Sequence, residues 1–271
     1  MSNEKITSRE YKLVLAIEKF AGDEKEMLNK ADIFWQALQK TALQVIKAAD
    51  GNFDAIRPAR EIRFYDTEDS LLNSKKYIFR ERICPADNTR ELTLKFRHHD
   101  RYISQDRDMR PGINGKVKIK FEEDIKAPFE KLHSFSGSVE KFSQRKIENI
   151  NDVIKIFPGL DSSLRKDAGD KSIHLVNGFA AKEIVITGAT LRLSNNPVVN
   201  AECAIITWYD MPKNKIDPVI AEFSFRYENK NEKYKRKTAQ RAYDLFHLIQ
   251  DEMKEWIDAT GNTKTGFVYN G

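Results

Sequence analysis

The feature that most constrains the fold is a series of segments in which apolar residues alternate with lysines and arginines. In the segment KVKIKFE at 116–122, Val117, Ile119 and Phe121 alternate with lysines, and LTLKFRH at 92–98 has the same pattern. Successive side chains of a β-strand point to opposite faces of the sheet. Each of these segments is therefore predicted to be a strand with one apolar face and one cationic face.

Eight segments have strand character, and two longer segments have a helical apolar stripe. The first helix is predicted from Met27 to Val45 and the last from Ala239 to Trp256, whereas 126–180 reads as a mixed stretch with a short helix at 148–156 and the tail after Gly261 reads as irregular. Consecutive strands favour antiparallel pairing. The prediction is a single α+β domain over 1–271: an eight-stranded, mostly antiparallel β tunnel or barrel with helices packed outside. The predicted strands cover 9–20, 61–67, 75–83, 91–99, 115–124, 182–193, 200–210 and 219–228.

The charged faces lead to two interpretations. If the sheet closes, its cations converge on one cavity, where their repulsion requires a multiply charged anion, metal ions or water. If the sheet stays open, the same faces are ordinary solvated surfaces. The cations on these faces are Lys12, Arg80, Arg82, Lys95, Arg97, Lys116, Lys118, Lys120 and Arg226, and the carboxylates are Glu10, Glu122, Glu222 and Glu228.

Composition narrows the class of partner. The formal net charge of +5 is modest and is compatible with an anionic ligand. No apolar run reaches the roughly 18 residues that a membrane span needs, so no membrane partner is expected. Cys84 and Cys203 fit no metal or redox spacing, which favours a cytoplasmic location. Nucleic acid is an unlikely partner, because aromatic residues do not share faces with the cations as stacking platforms would.

One block of the sequence resembles a known family. The stretch FYDTEDSLLNSKKYIFRERI at 64–83, followed by ELTLKFR at 91–97, resembles the signature of the CYTH-like superfamily, the triphosphate tunnel metalloenzymes. A later stretch, WYDMPKNKIDPVIAEFSFRYE at 208–228, matches more weakly. The order of elements agrees from about residue 8 to about residue 257. The positions that match the signature are Tyr65, Asp66, Thr67, Asp69, Arg80, Arg82, Thr93, Lys95, Asp210 and Glu222.

The resemblance implies a tunnel that binds a triphosphate compound, with Mg²⁺ or Mn²⁺ held by carboxylates at one side. It implies hydrolysis of inorganic triphosphate or a nucleoside triphosphate, and adenylyl cyclase activity also occurs in the family. Glu222 and Glu10 are the expected catalytic residues, and Glu10, Glu122 and Glu222 the expected metal ligands. The expected substrate-binding residues are Lys12, Arg80, Arg82, Lys95, Arg97, Lys118, Lys120 and Arg226.

The first strand departs from the family pattern. Where the family carries Glu-x-Glu-x-Lys, this chain has Glu10, Lys12 and Val14, so a cation stands where a metal-ligand carboxylate is expected. Asp124, Asp210 and Glu228 are further carboxylates that could contribute oxygen ligands. Three functions therefore stay open: a metal-dependent triphosphatase, a non-catalytic module that binds or senses a nucleotide or polyphosphate, and a nucleic-acid-binding protein.

Overall fold

Twelve strands dominate the computed structural model, which describes residues 4–140, 146–164, 167–213 and 217–270. Most of them follow from the alternating segments, because a strand with one apolar face can bury that face under a helix. The strands are β1 (Ser8–Val14), β2 (Ala48–Asp50), β3 (Ala55–Ile56), β4 (Arg60–Asp66), β5 (Tyr77–Cys84), β6 (Thr89–His98), β7 (Lys116–Lys126), β8 (Glu130–Glu140), β9 (His174–Thr187), β10 (Thr190–Asn195), β11 (Val198–Asp210) and β12 (Ile220–Glu228).

Nine of these strands close into a barrel. The order is β11-β12-β1-β7-β8-β6-β5-β4-β9, and β9 pairs with β11 to complete the ring. All neighbours in the ring are antiparallel except β1 and β7, which are parallel, with Ser8 opposite Glu122. The predicted barrel is confirmed, with nine strands in place of the eight expected. Strands β2, β3 and β10 extend the sheet beyond the ring.

Helices cover the apolar outer faces of the barrel. One large core lies between the strands and the helices α1 and α6, and a second lies under α4 and α5. Phe225 belongs to the first core, whereas Leu94 and Phe96 belong to the second and Ile119 packs against it. The helices are α1 (Glu24–Ala42), α2 (Leu71–Ser74), α3 (Arg101–Gln105), α4 (Ile150–Ile156), α5 (Asp161–Leu164), α6 (Arg236–Glu252) and α7 (Lys264–Asn270).

Local sequence explains where the long helices begin and end. Asp23 caps α1 through a hydrogen bond from the Glu26 backbone amide, and the Glu26 side chain accepts one from the Asp23 amide. Helix α6 ends at Glu252, so Trp256 lies in the turn that follows it and not in the predicted helix. No helix among the described residues combines the length and hydropathy of a membrane-crossing segment.

Four sequence predictions need correction. The strand predicted at 182–193 is two strands, since β9 ends at Thr187 and β10 begins at Thr190 after Gly188, whose φ is 119°. The first strand ends at Val14 because the chain then leaves the sheet, and Ile17–Phe20 forms a 3₁₀ turn that buries Phe20 in the first core. The mixed stretch contains a complete barrel strand, β8. The tail is not irregular, since its last residues form α7.

Helix α7 packs against apolar side chains that face into the barrel. It buries Val268 beside Phe64, Ile78 and Trp208, and the side chains of Phe64 and Trp208 also line the barrel cavity. Tyr269 donates a hydrogen bond to Asp66 at 3.1 Å. These contacts place the first residues of α7 at the wall of the cavity described next.

Candidate functional site

The barrel contains a cavity of about 690 Å³ that is lined mostly by charged side chains. Eleven cationic and seven carboxylate residues line it, an excess of four positive charges. The cationic residues include all eight that the sequence predicts as substrate-binding, and the carboxylates include the three predicted metal ligands. These predicted residues are Lys12, Arg80, Arg82, Lys95, Arg97, Lys118, Lys120, Arg226, Glu10, Glu122 and Glu222.

Two residues on the predicted charged faces do not belong to the cavity lining. The Lys116 side chain is 80% exposed and pairs with Glu140 at 3.1 Å. Strand β1 pairs with β7 only from Glu122 onward, so Lys116 is not covered on that side. Glu228 is 53% exposed at the last residue of β12, where it pairs with Arg226 at 3.2 Å. The parity of a strand assigns a face, and the extent of the neighbouring strands decides whether that face is enclosed.

One half of the cavity, formed by β5, β6, β7 and β8, carries cations in rows across the strands. In one row Arg80 lies opposite Thr93, which lies opposite Ser138, which lies opposite Lys118. The next row contains Lys95, Ser136 and Lys120. We call this surface the cationic wall; its residues are Arg80, Arg82, Lys95, Arg97, Lys118, Lys120, Thr93, Ser136 and Ser138.

The serines of β8 are functional candidates that the sequence interpretation missed. Ser136 and Ser138 line the cavity between the cations of β6 and β7, and the Ser138 hydroxyl lies 2.9 Å from that of Thr93. Their small side chains leave space between the flanking cations, and their hydroxyls can donate to an anion. The signal was available, because serine at 134, 136 and 138 alternates with His133, Phe135 and Val139.

The cations of this wall are incompletely compensated. Among the described residues, no carboxylate oxygen lies within 4 Å of Arg80, and its Nε atom has no hydrogen-bond partner. Burial and the neighbouring Arg82 lower the pKa of Arg80. Burial also lowers the pKa of Lys95 to about 8, although Asp124 opposes this at 3.5 Å. Such groups gain free energy when an anion reaches them.

The opposite half of the cavity is different. Strands β1, β9, β11 and β12 contribute the carboxylates Glu10, Glu183, Glu202 and Glu222, which we call the acidic wall. Each is paired with a cation: Glu222 with Lys264 at 2.7 Å, Glu202 with Arg226 at 3.4 Å, Glu183 with Arg60, and Glu10 with Lys12. Burial opposes ionisation of Glu183, but Arg82, Arg60 and Lys264 lower its pKa to about 2.

Lys12 joins the two walls. Its Nζ atom lies 2.9 Å from a carboxylate oxygen of Glu10 and 2.9 Å from one of Asp124. Asp124 in turn lies 3.4 Å from Arg97 and 3.5 Å from Lys95. Burial works against ionisation of Asp124, yet Lys12, Lys95 and Arg97 hold its pKa well below the usual range. Burial likewise opposes the charge of Glu10, and Lys12 overcomes it, so that the pKa of Glu10 is lowered.

A closed barrel that gathers the predicted cations around one internal cavity confirms the architecture implied by the resemblance.

Comparisons with known proteins give distant likenesses to this tunnel fold. A candidate adenylyl cyclase from Hippeastrum, described as having a dominant triphosphatase activity, is 13% identical with a TM-score of 0.42, over 98% of this chain and 95% of the other. A candidate adenylate cyclase from Bacillus halodurans is 12% identical with a TM-score of 0.39, over 98% of each chain. The Mimivirus capping enzyme triphosphatase is 9% identical with a TM-score of 0.33, over 92% of each chain. No protein-family profile and no curated protein matches the sequence.

The carboxylates of this tunnel do not fit a divalent metal site. Mg²⁺ and Mn²⁺ need several oxygen ligands around one point. Within the described residues, no three Asp, Glu, His or Cys side chains come together in that way. Of the three predicted ligands, Glu10 is occupied by Lys12, Glu222 by Lys264, and Glu122 by the Ser8 hydroxyl at 2.9 Å and Lys120 at 3.3 Å.

A second cavity of about 620 Å³ lies on the other side of the residues at the start of α7. Lys12, Arg97, Glu222, Lys264 and Thr265 line both cavities and so form the boundary between them. Arg97 donates a hydrogen bond to the Thr265 hydroxyl at 3.1 Å across this boundary. Helix α7, which the sequence interpretation left as irregular, therefore closes one end of the charged cavity.

Proposed function

We propose that the tunnel binds the triphosphate group of inorganic triphosphate or of a nucleoside triphosphate. The observation that carries this proposal is the cationic wall, where rows of Lys and Arg flank the hydroxyls of Thr93, Ser136 and Ser138. Arg80 and Lys118 stand in one such row without a carboxylate within 4 Å among the described residues. A chain of phosphates carries several negative charges and many acceptor oxygens, which match these donors.

Enclosure favours a short anion over a nucleic acid. The cations point into a barrel of nine strands that α7 closes at one end. A polymer needs an open surface along which its backbone can run. An excess of four positive charges inside the cavity also suits a compact polyanion.

Binding is the activity that the geometry supports best, and hydrolysis is the second candidate. The catalytic roles of Glu222 and Glu10, and the use of Mg²⁺ or Mn²⁺, stay predictions from the resemblance. Glu222 forms an ion pair with Lys264 at 2.7 Å and Glu10 forms one with Lys12 at 2.9 Å, so each carboxylate already has a cationic partner. A cytoplasmic location, where nucleoside triphosphates are abundant, also stays a prediction; Cys84 and Cys203 are free thiols.

Isothermal titration calorimetry with inorganic triphosphate, pyrophosphate and phosphate tests the proposal. We expect affinity to fall steeply along that series, because each phosphate lost removes contacts to the rows of the cationic wall. Lys118→Gln should weaken triphosphate binding by about tenfold, the effect of one charge-assisted hydrogen bond. Lys155→Gln is the matched control, since Lys155 pairs with Asp152 at 3.2 Å outside the barrel.

An absence of measurable heat with all three anions, at an ionic strength held constant with chloride, would reject the proposal. Phosphate release from triphosphate compounds, with and without Mn²⁺, then separates a binder from a hydrolase. Turnover that disappears in Glu222→Gln while triphosphate still binds would support the hydrolase. No turnover in the wild type, together with tight binding, would support the binding module.

A further inference from the structure

Lysine side chains are mostly exposed in folded proteins, so the burial of Lys12 inside the barrel has a specific cause. Here its ammonium group lies between two carboxylates, at 2.9 Å from each. Glu10 precedes it by two residues on β1, so both side chains point into the barrel, and Asp124 comes from the neighbouring strand β7. The Lys12 side chain is only 20% exposed and that of Asp124 only 8%.

This arrangement resembles the coordination of a small cation by carboxylate oxygens. The two oxygens that contact Lys12 can be no more than twice 2.9 Å apart. A divalent ion such as Mg²⁺ would bring its oxygen ligands to about 2.1 Å, a contraction of less than 1 Å for each carboxylate. The ammonium supplies one charge at this point and the neighbouring Lys95 and Arg97 supply the rest around Asp124.

The nearby third carboxylate is also taken by a lysine. Glu222 lies on β12, which pairs with β1 so that Val14 is opposite Glu222. Its side chain is 4% exposed, and Lys264 from α7 contacts it at 2.7 Å. The two lysines come from opposite ends of the described chain, and each neutralises a buried carboxylate of the same cavity.

We propose that the Lys12 ammonium takes the place of a divalent metal ion in this tunnel, so that the chain binds a triphosphate without any metal. This inference rests on the proposed function. Lys12 holds Glu10 and Asp124 together, and it adds its positive charge to that of the neighbouring cationic wall. Lys264 supports it by neutralising Glu222. A tethered ammonium of this kind cannot be removed by a chelator.

The test compares triphosphate binding and Mn²⁺ binding by calorimetry in separate experiments. For the wild type, we expect the same dissociation constant for inorganic triphosphate in EDTA as in added Mg²⁺, after correction for the Mg²⁺ complex of triphosphate. Without triphosphate, the wild type should give no specific Mn²⁺ heat. Lys12→Met keeps the aliphatic stem and removes the charge, and we expect it to gain specific Mn²⁺ binding at least about tenfold tighter than the detection limit below which the wild type stays.

Matched variants show whether Mn²⁺ binding depends on the site of Lys12 or follows from the loss of any lysine that pairs with a carboxylate. Lys155→Met also leaves a carboxylate, Asp152, without its lysine, but outside the barrel, and should not gain Mn²⁺ binding. If Lys12→Met folds poorly, Lys12→Gln keeps hydrogen bonding to the carboxylates, and Mn²⁺ should raise the melting temperature of either variant but not of the wild type.

The outcomes distinguish the inference from the function on which it rests. Triphosphate binding by the wild type that is lost in EDTA, or a specific Mn²⁺ site in the wild type, overturns the metal replacement and leaves the proposed function intact. Mn²⁺ binding that does not increase in Lys12→Met or Lys12→Gln also overturns it. No triphosphate binding with or without metal rejects the proposed function, and the inference falls with it.

Discussion

The two walls of the cavity are built from the same alternation of apolar and charged residues, but they differ in how completely their charges are paired. On the acidic wall every carboxylate has a cation, as Glu222 has Lys264 and Glu183 has Arg60. On the cationic wall, the mostly buried Arg80 lacks a carboxylate within 4 Å among the described residues, and Lys118 lacks one too but is exposed to solvent. A protein that needed only stability would pair both walls. The difference is the one that the proposed binding of an anion by the cationic wall predicts, whereas the ion pairs of the acidic wall neutralise buried charge in the folded state.

The largest expected effect comes from the residue that connects the walls. Asp124→Asn keeps the shape of the side chain but leaves Lys12, Lys95 and Arg97 without their shared carboxylate. We expect a loss of about 3 kcal/mol in the free energy of unfolding, because breaking a buried charge network leaves uncompensated charge. Urea denaturation measures this. Triphosphate should restore stability more strongly in the variant than in the wild type; an unchanged unfolding free energy would contradict the role of Asp124.

Arg80→Met is expected to raise stability, in contrast to Asp124→Asn, while it weakens binding. Removing an under-compensated, mostly buried cation should raise the free energy of unfolding by roughly 1 kcal/mol. The same change should weaken triphosphate binding by about tenfold or more, because a bidentate donor is lost from the cationic wall. Thermal melting and calorimetry on one preparation show both effects. A variant that is destabilised, or that binds as the wild type does, would contradict the assignment.

The pH dependence of binding sharpens the description of Lys95. Its pKa in the free protein is lowered to about 8 from an ordinary 10.5, so above pH 8 the folded protein has lost a proton that the unfolded chain retains. Stability from this group therefore rises between those two values. A bound triphosphate favours the charged form, so binding above pH 8 takes up a proton and weakens as the pH rises. Calorimetry in buffers of different ionisation enthalpy measures the uptake, which Lys95→Met should abolish.

The smallest effect is expected for a lysine outside the enclosed surface. Lys116 has the strand parity of the cationic wall, but its side chain is 80% exposed. Lys116→Gln should change the free energy of unfolding by less than about 0.5 kcal/mol and leave triphosphate affinity within about twofold. A loss of affinity as large as that of Lys118→Gln would mean that Lys116 contacts the ligand although it does not line the cavity.

The sequence predicted the barrel strands because each strand shows its own alternation of apolar and charged residues. Lys118 and Lys120 alternate with Ile119 and Phe121 within a few residues, and no distant contact is needed to see it. Strand β8 was missed because most of its inward residues are serines, which mark a polar face less clearly than a row of charges does. Its Gly137 has a structural cause that is invisible in sequence: a Cβ there would lie 1.7 Å from the carbonyl oxygen of Met109.

The site was predicted less completely than the fold, since its pairings connect distant positions. Lys264 and Glu222 meet only because α7 returns to the barrel, and a seven-residue helix containing glycine and threonine gives a weak local signal. Asp124 was one of several available carboxylates in sequence. Its three cations come from β1 and β6, and the network becomes visible only once β7 lies parallel to β1.

That parallel pair also has a consequence for how the chain folds. Strand β1 lies between β7 and β12, with Ser8 opposite both Glu122 and Glu228, so its partners are synthesised long after it. The hairpins β5–β6 and β7–β8 join strands that are neighbours in sequence, so they can form early. Pairing β1 with β12 closes a loop of more than half the chain, which has a larger entropic cost. We therefore expect β1 to dock late in folding. Before it does, the edges of β7 and β12 are open, and the barrel is an incomplete sheet with its charged interior exposed to water.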